Sequence, residues 1–186
     1  MHLRIVASLL LLVFLHTPAA VALAESPGVP LNKQTNLGLY LTATEAWTLW
    51  QAHPEQTIVL DVRTQEEYML VGHAPMARNI PVMFLEPTWE RIAMTPNSDF
   101  ISQIKNQFKQ DALLLLMCRS GGRSAMAVNA LAEVGFTRVY NIIDGFEGDK
   151  IRERGHNNDG KRMLNGWKNA GAPWTYDLDP ALLYLP

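Results

Sequence analysis

Ala112-Leu113-Leu114-Leu115-Leu116-Met117-Cys118-Arg119-Ser120-Gly121-Gly122-Arg123-Ser124 is the stretch that decides how this chain folds. Its six apolar residues run straight into a polar turn with two glycines, which is short for a buried helix and right for a central strand. A strand apolar on both faces belongs in a parallel sheet covered by helices. From Ser124 to Glu133 the residues Ala125, Val128, Leu131 and Ala132 form one stripe, the mark of an amphipathic helix, and Gly135 ends it. The order strand, tight turn, helix puts Cys118 at a strand's carboxyl end, where sheets of this kind bind ligands.

The same alternation extends in both directions. Upstream, Thr57–Val62 is a β-branched run that reads as a second buried strand. Thr64-Gln65-Glu66-Glu67 follows as a capping box opening a helix that Gly72 closes, and Thr42-Ala43-Thr44-Glu45 opens an earlier helix to about His53. Asn79–Val82 reads as a short strand, Pro87–Asn97 as an irregular segment carrying Trp89, and Ser98 as the cap of a helix to about Gln110. Val139–Ile143 is the last strand. The fold class is α/β, a single domain with a mostly parallel central sheet and helices on both faces. Its boundaries are a leader over 1–24, an extended lead-in over 25–38, a folded body over 39–176 with an inserted loop at 149–165, and an apolar tail over 177–186.

Composition narrows the possibilities. The chain has 186 residues, 48% hydrophobic and 18% charged, which fits one ordinary globular core and excludes disorder. Lys and Arg number 16 against 18 for Asp and Glu, a mild acidity that argues against a nucleic-acid partner. Cys118 is the single cysteine, so no disulfide forms within the chain and no paired-thiolate zinc site exists. His2 and Arg4 precede an apolar run from Ile5 to Leu15, and Ala22-Leu23-Ala24 offers a small-x-small cleavage pattern. That run is too short to span a bilayer. The expectation is a cleaved signal, no membrane anchor after cleavage, and a periplasmic or secreted protein. In such a compartment a lone thiol is exposed to oxidation unless it has a use.

The residues after Cys118 supply one. Two glycines let the backbone wrap tightly and turn its amides inward, a nest that holds an anion. A thiol in that nest, facing a helix N-terminus and flanked by Arg119 and Arg123, is in the surroundings that favour a thiolate at neutral pH. Cys118 is the expected nucleophile. Arg119, Ser120, Gly121, Gly122, Arg123 and Ser124 are the expected binding residues for an anionic substrate.

At these residues the chain resembles the rhodanese-like sulfurtransferases. The Cys118–Arg123 loop looks like the family's active loop. Leu60-Asp61-Val62-Arg63 with Glu67-Tyr68 looks like its first signature, and Gly72-His73-Ala74-Pro75-Met76-Ala77-Arg78-Asn79-Ile80-Pro81 looks like its G-H-I-P-G-A-x-N-I-P segment. Trp167, Gly171 and Pro173 match a closing W-x-x-x-G-x-P. The resemblance implies a single rhodanese domain that takes a sulfane sulfur from thiosulfate or polysulfide, holds it on Cys118 as a persulfide, and passes it to a thiol or cyanide-like acceptor. It also implies a structural role beside the site for Asp61 and Arg63. The alternative is a non-catalytic binding module of the same fold serving a periplasmic oxidation system, with a periplasmic redox protein as partner.

Elementary chemistry agrees with sulfur transfer. A thiolate must attack the outer sulfur of a dianion while departing sulfite gathers negative charge, and the two arginines offer countercharge for both. Neither a metal nor an organic cofactor is needed. Cysteine phosphatases and related arsenate reductases instead need C-x-x-x-x-x-R, and here that last position is Ser124. Loops with two basic residues also resemble those of thiosulfate users rather than mercaptopyruvate users.

Other residues make weaker claims. His53, His73 and His156 show no ligand spacing and read as hydrogen-bonded or solvated. Trp89 and Met83-Phe84-Leu85 read as core, with a pocket lip as the alternative. The insertion carries Lys150, Arg152, Arg154, Lys161 and Arg162 against Asp149, Glu153 and Asp159. It reads as a solvated loop, with a flap over the site or a docking surface for a redox partner as the functional alternative.

Overall fold

A computed structural model describes residues 28–90 and 92–185, so the leader over 1–24 lies outside the described residues. In chain order the elements are β1 (Tyr40–Leu41), α1 (Ala43–Ala52), β2 (Thr57–Asp61), α2 (Gln65–Val71), β3 (Arg78–Asn79), β4 (Met83–Pro87), β5 (Ile92–Pro96), α3 (Phe100–Gln107), β6 (Leu113–Met117), α4 (Gly122–Glu133) and β7 (Val139–Ile142). Five strands form one parallel sheet in the order β1-β7-β6-β2-β3. The leucine run β6 lies at its centre, as its two-sided apolar character predicts.

Alternation along β6 divides the core in two. Leu114, Leu116 and Cys118 face Phe100 and Ile104 of α3 and Ala127, Val128 and Leu131 of α4. Leu115 and Met117 face Ala43 and Ala46 of α1 and the buried Trp167. In the register Leu60 pairs with Leu116 and Asp61 with Met117, so β2 and β6 end level and deliver Asp61 and Cys118 to one edge of the sheet. Both helices opened by capping boxes are present: Thr42 and Thr64 each accept from the amide three residues on, and Glu45 and Glu67 reach back.

Several elements differ from the sequence reading. The segment over 87–97 is not irregular. β4 and β5 pair antiparallel as a separate hairpin, with Met83 opposite Pro96 and Pro87 opposite Ile92. Prolines sit at its end pairs, where a missing N–H is tolerated. Most of its residues are exposed, so no face imposes an alternating pattern. Trp89 is fully exposed rather than packed in the core. Ser98 does not cap α3; Asp99 stands at that position without a side-chain cap, Asn97 accepts the Asp99 amide, and the helix ends at Gln107. β3 ends at Asn79, three residues earlier than expected, because Pro81 cannot donate to a ladder. α4 begins at Gly122, two residues before Ser124.

The lead-in is not simply extended. Leu31–Lys33 forms a 3-10 turn, and the Asn36 amide donates to Asn129 Oδ1 on α4. At the other end the Asn79 amide donates to Leu182 O, and Tyr184 packs on Phe84, so the tail lies across β3 and β4.

The turn after β7 shapes the edge where the site forms. Gly145 has φ +64°, and a Cβ there would lie 2.5 Å from Cys118 O and 2.6 Å from Ser120 N. A side chain at this position must push backbone. Gly145→Ala is therefore expected to lower stability by about 1–3 kcal/mol, read by urea unfolding, with a loss larger than that of Ala at the exposed Gly155, whose surroundings are open.

Candidate active site

Cys118, a residue only 2% exposed, leaves the carboxyl end of β6. Arg119 and Ser120 then turn the chain, and Gly121, at φ +91°, tips it into α4. No other residue fits at 121, since a Cβ would sit 2.2 Å from Ile143 O. The turn is held from behind: the Phe146 amide donates to Cys118 O at 2.8 Å, and the amides of Glu147 and Gly148 donate to Arg119 O. With those carbonyls drawn away, the loop is free to aim hydrogens at sulfur. The Gly121 N–H lies 3.2 Å from Cys118 Sγ and the Ser124 hydroxyl 3.3 Å from it. Of the expected cradle residues, these two reach the sulfur, while Gly122 and Arg123 form the first turn of α4.

The two arginines differ. Arg119 is exposed, and its guanidinium makes no hydrogen bond or ion pair among the described residues. Arg123 is held in a fork by Glu67, with Nη1 to Oε2 at 2.6 Å and Nη2 to Oε1 at 2.7 Å. Both side chains are largely buried, and Met94 Sδ of the hairpin lies 3.9 Å from the same Nη1. Burial alone raises the Glu67 carboxyl, but Arg123 and the Thr64 amide more than offset it and hold Glu67 below its usual range. Burial likewise works against the Arg123 cation, and Glu67, with a smaller contribution from Cys118, more than restores it.

Beneath the loop, Asp61 and Arg63 are both fully buried. Arg63 Nε and Nη2 meet the two Asp61 oxygens at 2.6–3.0 Å, and Nη2 also donates to Gly72 O. The guanidinium lies 4.1 Å over the ring of Phe146, the residue whose amide holds Cys118 O.

A family model described as a rhodanese-like domain matches residues 42–151. The chain belongs to the rhodanese-like domain family. It is 37% identical over 120 residues to an uncharacterized protein of Rickettsia prowazekii, covering 63% of this chain and 82% of that one. It is 40% identical over 87 residues to Arabidopsis thaliana "Thiosulfate sulfurtransferase 16, chloroplastic", covering 47% of this chain and 68% of the relative. The solved structure of Rv0390 from M. tuberculosis superposes with a TM-score of 0.59 at 26% identity, over 74% of this chain and 96% of the other. The resemblance read from the Cys118 loop and its three companion blocks is borne out.

In this rhodanese-like domain some neighbours of the sulfur escape a reading of motifs. Asn141 is fully buried on β7 and donates both amide hydrogens, to Lys33 O and Gly121 O. Its Oδ1 is thereby left to accept the Ser124 hydroxyl at 2.7 Å, so the one hydrogen of Ser124 serves either Asn141 or Cys118. A polar residue inside an otherwise apolar strand is the signal that could have found it. Glu67 was legible as a capping residue, but nothing local announces its hold on Arg123. His73 is buried, stacks on Tyr68 at 3.8 Å between ring centroids, and bridges to Thr175 through its backbone. His53 and His156 are exposed.

Two outcomes follow for the rhodanese-like domain. Asp61→Ala leaves the Arg63 charge buried without its partner, and urea unfolding should show a loss of about 3–5 kcal/mol. Glu67 has a depressed folded-state pKa, so its stabilisation is complete at neutral pH and is lost as pH falls through that lowered value. Stability measured from pH 7 downward should therefore fall with acid below about pH 4 in the native protein. Glu67→Gln should start about 1–3 kcal/mol lower at pH 7 and show a shallower acid slope.

Proposed function

We propose that this chain is a sulfurtransferase, moving a sulfane sulfur from thiosulfate or a polysulfide to a thiophilic acceptor through a persulfide on Cys118. The observation that carries the reading is a buried sulfur met by the Gly121 N–H and the Ser124 hydroxyl at the head of a helix. Those donors face the atom on which charge develops during sulfur transfer. The likeness to the Arabidopsis thiosulfate sulfurtransferase supports thiosulfate as donor.

In the first half-reaction the Cys118 thiolate attacks the outer sulfur of thiosulfate. A new Sγ–S bond forms, and the old S–S bond breaks with its electron pair leaving on sulfite. Arg119, exposed and without a side-chain hydrogen bond or ion pair among the described residues, offers countercharge to the incoming dianion, whereas the charge of Arg123 is shared with Glu67. The Gly121 N–H is then the donor that stays with the persulfide, and the Ser124 hydrogen joins it only by leaving Asn141 Oδ1. In the second half-reaction the acceptor attacks the outer sulfur, and Cys118 leaves as thiolate. Export directed by residues 1–24 belongs to the same proposal, as does delivery to a small thiol or a periplasmic redox protein. The competing reading, a module that binds without turnover, draws on the closed Arg123–Glu67 pair.

Intact mass separates them. The purified protein should gain the mass of one sulfur atom on exposure to thiosulfate and lose it on addition of cyanide, and Cys118→Ser should do neither. A reduced Cys118 that gains no sulfur from thiosulfate or polysulfide would sink the enzymatic reading.

A further inference from the structure

Two hydrogen-bond donors meet Cys118 Sγ, and they are not alike. The Gly121 N–H belongs to the backbone and lies 3.2 Å from the sulfur. The Ser124 hydroxyl, 3.3 Å away, has one hydrogen and a rival claimant for it, Asn141 Oδ1 at 2.7 Å. Ser124 and Asn141 are both fully buried. An acceptor here that loses its hydrogen has no solvent to turn to, and its desolvation goes uncompensated.

The Asn141 amide is fixed in one orientation. Its Nδ2 donates to Lys33 O at 2.9 Å and to Gly121 O at 3.1 Å. Both are carbonyls, which accept and never donate, so an amide turned over would set its oxygen against two others. Oδ1 therefore stays on the Ser124 side. One of those carbonyls belongs to the 3-10 turn of the lead-in, Leu31–Lys33, which falls outside the 42–151 match. The turn is fastened where it lies, because Lys33 Nζ meets both oxygens of Asp149 at 2.8 and 2.9 Å. A segment beyond the family match thus helps to fix which way a buried amide faces beside the nucleophile.

We infer that Asn141 is a positioning residue that withholds the Ser124 hydrogen from the free Cys118 thiolate and thereby favours the sulfur-loaded site over the empty one. In the thiol, S–H donates to Ser124 Oγ while Ser124 donates to Asn141, and every group is served. In the thiolate, Ser124 reaches the sulfur only by leaving Oδ1 buried without a hydrogen, which cancels part of what the charged hydrogen bond returns. When thiosulfate delivers its outer sulfur, a Sγ–S bond forms, the S–S bond of the donor breaks with its electron pair on sulfite, and the negative charge moves from Sγ to the outer sulfur. Ser124 then stays with Asn141 at no loss. The consequence for loading rests on the sulfur-transfer reading, whereas the placement of the hydrogen does not.

The test reads the loading equilibrium and the thiolate separately. The native chain, Asn141→Leu, Ser124→Ala and the double variant are held at fixed ratios of thiosulfate to sulfite, and intact mass gives the loaded fraction. Asn141→Leu should lower the loading constant about tenfold or more. Without any sulfur donor and at one fixed pH, its Cys118 should be alkylated by iodoacetamide about threefold or more faster than in the native chain. With Ser124→Ala already present there is no hydrogen to redirect, and the same change at position 141 should move either readout by less than about twofold. Asn141→Ala should act as Asn141→Leu does and stands in for it where the larger side chain does not fold. A general loosening of the site would move both readouts alike with and without the Ser124 hydroxyl. That result, or unchanged loading and alkylation in both variants at 141, would overturn the inference. A chain that takes up no sulfur yet shows the Ser124-dependent rise in alkylation would keep the hydrogen assignment and discard the sulfur-transfer reading instead.

Discussion

Two opposite charges with no access to water, Asp61 and Arg63, stand under the edge of the sheet where Cys118 emerges. Neither is tolerable there alone, because a buried charge without its partner loses hydration and recovers nothing. Together they tie three parts of the molecule. Asp61 ends β2, Arg63 Nη2 holds the carbonyl of Gly72 at the close of α2, and its guanidinium lies on the Phe146 ring. The Phe146 amide then fixes the carbonyl of Cys118. The shape of the active loop therefore depends on a charge pair that touches no sulfur itself.

Above that pair the loop follows from backbone geometry. Gly145 and Gly121 occupy positive φ at positions where a Cβ would strike the loop or Ile143. Carbonyls bonded from behind leave the Gly121 amide for sulfur, and Asn141, with both its hydrogens engaged, directs Ser124. The fork between Arg123 and Glu67 joins the first turn of α4 to that of α2, so one residue caps a helix and also restrains a cation beside the nucleophile. Rigidity of this kind suits a site whose reacting group gains and loses a single atom.

What could be read in advance and what could not divides along a physical line. β6, β2, α4 and the two capping boxes are legible because their signals are local: an apolar run, a stripe, a hydroxyl three residues before a carboxylate. The β4–β5 hairpin was hidden because most of its residues are exposed and prolines sit in its end pairs. α3 lacked a capping side chain, so its start fell two residues after the serine that resembled one.

The chain order of apolar runs, glycines and capping residues determined by itself an α/β body with Cys118 at a strand's carboxyl end, since backbone preferences and burial act over a few residues at a time. The four blocks around Asp61, Gly72, Cys118 and Trp167 likewise determined family membership. Only the tertiary structure decided that Arg123 is engaged while Arg119 has no side-chain partner among the described residues, because Glu67 lies 56 residues away in sequence. It also decided that Lys33 and Asp149, 116 residues apart, meet beside the loop. Contacts at such separations arise when independent elements pack against one sheet edge, and no local pattern records which side chains will then face each other.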